Sequence, residues 1–214
     1  DNQTLYVRLE VDETGCYATT TQELIVNPLP EIITPTPLEE CDDDYDGIVS
    51  FFDLSQKTEE ILNGQTGISV SYYETLENAE SSENPIEGLY TNIEVDTQTL
   101  YVRLEVDETG CYATTTQELI VNPIPTVLVG PAYEVCDDDY DGIGSYDLST
   151  LDETLLDGQT GVSISYYESQ ENADNATNVL DVNYQNTIPD NQTLYVRLEV
   201  DETGCYATTT QELI

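Results

Sequence analysis

The sequence predicts an all-β protein made of tandem immunoglobulin-like β-sandwich repeats, each about 95 residues long. Three observations carry that expectation. Residues 1–25 (DNQTLYVRLEVDETGCYATTTQELI) recur at 96–120 with one change, Asn2 to Thr97, and at 190–214 with none. A second block, CDDDYDG, stands at 41–47 and again at 136–142. Inside the repeated text, apolar and polar residues alternate with the two-residue period of a half-buried strand. Self-similarity at a fixed period fixes the architecture before any single residue is interpreted.

The repeat also sets the expected domains. Residues 1–28 read as the closing hairpin of a preceding repeat, 29–123 as a complete repeat, and 124–214 as a repeat lacking its last residues. VNPLP (26–30) and VNPIP (121–125) are the joints, where proline ends a strand and stiffens a short linker. Within the complete repeat, Ser55–Asn63 reads as a short helix stopped by Gly64. Ile68, Val70 and Tyr72 alternate with serines in a middle strand. Leu100, Val102, Leu104 and Val106 alternate with Tyr101, Arg103 and Glu105. Asp107–Gly110 then turns, and Cys111–Val121 returns, giving a hairpin over 99–106 and 111–121. In the next repeat Ser149 and Asp152 resemble a capping box, with Leu151 and Leu155 on one helix face.

Composition narrows the function. The 214 residues carry 44 Asp and Glu against 4 Lys and Arg, a formal charge of −40, and no histidine. Nucleic acid is excluded as a partner because no cationic stripe exists to displace phosphate counterions. Direct contact with an anionic membrane is excluded for the same reason. Histidine-based catalysis has no residue to use, and Schiff-base chemistry has one candidate, Lys57. No signal peptide is visible and position 1 is not Met, so the segment is expected to be internal to a longer chain, or processed. Carboxylates, hydroxyls and carbonyls are plentiful, and these are calcium ligands.

The acidic loop concentrates those ligands. Asp42, Asp44 and Asp46 alternate before Gly47, where a tight loop must turn. On a twelve-residue calcium-loop template the ligands are Asp42, Asp44, Asp46, the Ile48 carbonyl, Ser50 and Asp53. The second copy supplies Asp137, Asp139, Asp141, the Ile143 carbonyl, Ser145 and Asp147. A one-residue deletion moves Asp147 to position eleven. Either the backbone adjusts, or Asp53 and Asp147 point elsewhere and another carboxylate closes the shell. Pro35 and Pro37 stand where an EF-hand has its entering helix, so this is not an EF-hand. The bland alternative is a solvated acidic turn, and magnesium fits less well than calcium.

The five cysteines are Cys16, Cys41, Cys111, Cys136 and Cys205. Two pairings respect the repeat. Cys41–Cys111 and Cys136–Cys205 lie within repeats; Cys16–Cys41 and Cys111–Cys136 cross the joints. The within-repeat pairing is favoured, because a small domain gains most by closing its own long loop. Both imply an oxidising, extracellular compartment. Arg8, Arg103 and Arg197 fall on the outward side of the alternating strand, where solubility and cross-strand pairing are the expected roles. Tyr6, Tyr101 and Tyr195 share that face and could stack on sugars.

The CDDDYDG block, the SYYE strand, TLYVRLEV followed by ETGCYATT, and the closing LIVNP text together resemble the tandem repeats of very large Bacteroidota cell-surface adhesins. Such adhesins are exported by type IX secretion, with gliding-motility adhesins of the SprB type among them. The resemblance covers essentially the whole chain and implies surface location, sandwich repeats and a stalk or filament role. The expected function is therefore a structural stalk segment of a surface adhesin, stiffened by calcium and disulfides, and not an enzyme. Its partners are neighbouring repeats and other copies of the filament. The alternative is a repeated weak glycan- or surface-binding module acting by avidity.

Overall fold

The computed structural model describes residues 2–137 and 140–214. In chain order its strands and helices are β1 (Gln3–Glu10), β2 (Tyr17–Leu24), β3 (Leu38–Cys41), α1 (Thr58–Leu62), β4 (Ile68–Tyr73), α2 (Leu76–Ser81), β5 (Thr97–Val106) and β6 (Tyr112–Asn122). They continue with β7 (Ser145–Asp147), α3 (Asp152–Leu156), β8 (Val162–Tyr167), α4 (Gln170–Asp174), β9 (Asn183–Gln185), β10 (Gln192–Val200) and β11 (Tyr206–Leu213). Single 3-10 turns at Leu54–Lys57 and Leu148–Leu151 lead into α1 and α3. The fold is all-β, with immunoglobulin-like sandwich repeats in tandem. None of the described helices is long and apolar enough to cross a membrane.

Contacts divide the chain into two compact units. The first gathers residues 1–38, 52–90 and 99–119; the second gathers 39–51, 91–98 and 120–214. The acidic loop after β3 thus belongs with the second unit, although in sequence it opens the first complete repeat.

In the first unit, β4 and β5 are antiparallel neighbours, with Val70 opposite Leu104 and Tyr72 opposite Val102. The full sheet runs β3-β6-β5-β4. Period-two alternation buries Leu100, Val102 and Leu104 completely, each contributing roughly 1.5–3 kcal/mol relative to exposure. Phe52, bridged to Tyr90, and Ile61 of α1 are buried on the same repeat. Helix α1 ends on Asn63 in the left-handed conformation. Lys57 is held by Thr36 and Glu60 at 2.8 and 3.5 Å, a structural role.

The other face of the β5 strand departs from expectation. Arg103 is buried rather than outward. Its Nη1 donates to the Ala79 and Glu80 carbonyls at 2.9 and 3.0 Å, closing the C-terminal end of α2. Its Nη2 pairs with Glu105 at 2.6 Å, and its plane lies 3.4 Å over the Tyr112 ring. The helix that covers this face was not anticipated. Thr75 caps it by accepting from the Asn78 N–H, and six residues are too few to display a helical period.

The second unit repeats the plan with β11-β10-β8 as the larger sheet and β7-β9 as the smaller. Leu148, Leu155, Leu194, Val196, Leu198 and Leu213 form its core, together with three tyrosines. Arg197 repeats the Arg103 arrangement, donating to the Ala173 and Asp174 carbonyls. The capping-box reading of Ser149 and Asp152 is corrected here. Asp147 is the cap, accepting from Ser149, while Asp152 accepts the Tyr166 hydroxyl at 2.7 Å.

Candidate functional site

The loop after β3 is organised by one carboxylate. Asp42 Oδ1 accepts the N–H of Asp44 and of Tyr45, and Oδ2 accepts the N–H of Gly47, at 3.0–3.1 Å. Burial pushes the Asp42 carboxyl up, but backbone N–H donation from Asp44, Gly47, Tyr45 and Asp43 outweighs it and holds the group below its ordinary value. Gly47 has φ +75°, and a Cβ there would stand 2.6 Å from Val95 and 2.7 Å from Asp96. Only glycine satisfies both the conformation and the contact. Asn92 pins the far side of the loop, accepting from Val49 N–H and donating to the Gly47 carbonyl.

This turn gathers Asp42, Asp44 and Asp46, each with an oxygen within 4.8 Å of the others. Desolvation, and then the charges of Asp46 and Asp43, raise the Asp44 carboxyl. Ile48 donates its N–H to Asp46 Oδ1 at 2.7 Å. Asp53 is not part of the cluster: its Oδ1 accepts from the Ser55 N–H and hydroxyl, capping the 3-10 turn. Ser50 offers its carbonyl to Thr91 at 2.6 Å.

The second loop follows the same scheme. Asp137 accepts from Tyr140 and Gly142, Asp141 accepts from Ile143, and Asn186 replaces Asn92. Asp139 lies outside the described residues. Ser145 pairs with Gln185 in the β7-β9 ladder, and Asp147 is a helix cap like Asp53. The expected role of Asp53 and Asp147 as closing ligands is therefore corrected. Both are caps, so the one-residue difference before them never touches the loop. The extra residue is Phe51, whose side chain is exposed, while its neighbour Phe52 keeps the buried place that Tyr146 fills in the second copy.

The disulfide overturns both expected pairings. Cys41 is bonded to Cys205, 164 residues away. Cys16, Cys111 and Cys136 are free thiols. Strand direction explains why Cys136–Cys205 does not form. Val135 donates to the Ile214 carbonyl, placing Cys136 beside the end of β11, whereas Cys205 immediately precedes its start. Eight strand residues intervene, ~26 Å, far beyond the 7 Å limit for bridged Cα atoms. The first copy is built alike: Asp42 donates to the Asn122 carbonyl, at the end of β6 remote from Cys111. Loop-closure entropy favoured a bond that strand geometry forbids.

Around the bridge, Tyr45 donates its hydroxyl to the Pro125 carbonyl at 3.0 Å. Cys41, Tyr45, Ile124, Val127 and Tyr206 line an open groove there. Tyr101 and Tyr195 are half-buried, which leaves them little face for stacking on a sugar.

Residues 37–125 and 132–214 each match the family described as the Flavobacterium inter-domain disulphide bond domain. The chain belongs to that family. Its two matched segments are joined by the Cys41–Cys205 bond. No curated protein matches. Among solved structures, an endo-fucoidan hydrolase of glycoside hydrolase family 107 is 11% identical, with a TM-score of 0.25, over all of this chain and 33% of its own. Drosophila N-cadherin EC1-4 is 14% identical, with a TM-score of 0.24, over 99% of this chain and 58% of its own. The chain thus spans between a third and three-fifths of these structures.

Proposed function

We propose that this chain is a structural segment of an extracellular stalk or filament, part of a surface adhesin, with its repeats coupled by disulfides. One observation carries the reading: a bond from the opening loop of one family copy to the hairpin turn of the next. A disulfide at that place fits an oxidising exterior. The role is load transmission and display rather than catalysis, and the chain's partners are adjoining repeats and parallel copies of the filament. Export by type IX secretion and service in gliding motility belong to the same proposal, on the resemblance of the repeat text. Antibodies against 99–121 should decorate surface fibres on intact cells, and loss of the gene should remove fibres and attachment together. Labelling confined to the cytoplasm would overturn it.

Calcium is the second part of the proposal. Asp42, Asp44 and Asp46 would supply three oxygens, joined by the Ile48 carbonyl and by water. Asp137 and Asp141 would supply two in the second loop. Without a cation, the clustered negative charges oppose one another. Free calcium at a hundred times its dissociation constant should stabilise the folded loop by about 2.7 kcal/mol. Melting curves should therefore shift upward with calcium and back with chelator, and Asp44→Ala should abolish the shift belonging to its own loop. Identical curves at matched ionic strength would leave a solvated acidic turn.

A further inference from the structure

We propose that the Cys41–Cys205 bond makes the chain a tether of nearly fixed length, in which tension bypasses all of the two sandwiches except β3 and β11, the strands at the ends of their sheets. The inference deepens the stalk reading and rests on it for its biological meaning, but its physical content concerns this chain alone.

Tension follows the shortest covalent path. A force applied between Asn2 and Ile214 runs along the backbone to Cys41, crosses the bond to Cys205, and leaves through β11. Residues 42–204 form a closed loop beside that path and carry no load. Inside the loop lie the fully buried Phe52, Ile61, Leu104, Leu148, Leu155 and Leu198. The loop also holds the acidic turns, β4 to β10 and every described helix. Tension reaches only β1, β2, the following linker, β3 and β11. The rest of each core is screened from tension and stays folded at forces that would open an unbridged sandwich, while β11 carries load on the buried Leu213.

The positions of the remaining cysteines extend the argument along a tandem array. Cys136 is the repeat counterpart of Cys41, and Cys16 and Cys111 are counterparts of Cys205. Because Cys136 falls inside the 41–205 span, a bond formed from it by the same rule would start before the first has ended. Successive bonds then overlap like roof tiles. The path need only use the short stretches from a hairpin cysteine to the next loop cysteine, of which 16–41 and 111–136 are examples.

Single-molecule pulling on the full chain, held at both termini, tests the tether. The oxidised chain should extend to about 170 Å and no further, because only roughly 50 residues lie on the path at about 3.4 Å each. Reductant should release a further ~550 Å, the length of the hidden residues 42–204. Cys41→Ser combined with Cys205→Ser should give the long extension without reductant. Cys111→Ser combined with Cys136→Ser retains the bond, blocks exchange and should keep the short one. An oxidised limit near 260 Å would mean that bonds close within repeats, and would overturn the proposal. Equal extension with and without reductant would also overturn it. Failure of the stalk reading would instead appear in the surface labelling, with these lengths unchanged.

Discussion

Residues 2–25 and 191–214 have the same sequence and the same ladder, yet only the second is packed into a core by other residues of this chain. Gln3 faces Leu24 as Gln192 faces Leu213, and every later pair follows in step. Leu5, Val7 and Leu9 are 41, 38 and 75% exposed, whereas Leu194, Val196 and Leu198 are wholly buried. The turn, the register and the Arg–Tyr–Glu cluster are properties of the twenty-odd residues themselves. Arg8 still lies 3.9 Å over Tyr17 and pairs with Glu10. Burial is conferred by what surrounds them: α3, α4, β8 and the β7-β9 ladder in the second unit. Local chemistry specifies the shape of the hairpin, and packing supplies its energy.

The largest test of that division is Leu198→Ala against Leu9→Ala. The first should cost about 2–5 kcal/mol, since it empties a filled core; the second should stay within about 0.5 kcal/mol. Denaturant midpoints and hydrogen exchange of the β10 amides read the difference, and equal costs would break the comparison. Next comes Arg197→Ala against Arg8→Ala. Removing Arg197 takes a donor from the Ala173 and Asp174 carbonyls at the end of α4 and leaves Glu199 without its partner. That should cost about 2–3 kcal/mol, with Arg197→Lys recovering only part, because a point charge cannot replace the planar fork. The exposed Arg8 pair should cost less than about 1 kcal/mol. The smallest effect is one the two hairpins should share. Gly15 and Gly204 turn with φ +63° and +74°, and a Cβ would meet only Glu10 at 3.8 Å in the first and nothing within 4 Å in the second. Alanine at either should cost about 1–2 kcal/mol of local order, read as faster amide exchange at Gln3–Glu10 or Gln192–Val200. A penalty at one site and not the other would show that the turn is imposed by its setting.

The hairpins were legible because period-two alternation reports burial directly. So was the acidic turn, because alternating Asp residues before a glycine have few other uses. Arg103 and Arg197 were misplaced for a related reason. Alternation tells which side a residue takes, not whether that side is covered, and the covering helices α2 and α4 are too short to announce themselves. The Thr75 and Ser169 caps were the available signal. Asp53 fits a ligand template by spacing, and the following serine at i+2 equally fits a cap. The disulfide was illegible from spacing alone. It depends on which end of β6 or β11 a cysteine occupies, and on an approach between segments 164 residues apart.

That long separation sets an order of events when the chain is oxidised. Cys41 precedes its partner by 164 residues, and Cys111 and Cys136 both lie in the interval. An oxidant acting before the chain folds would find wrong partners within reach. Once β6 has formed, Cys111 stands at the far end of a strand from Cys41 and is out of reach. Folding therefore proofreads oxidation: the first repeat must close around its own core before the bond is made, and the bond is a record that the second has closed as well.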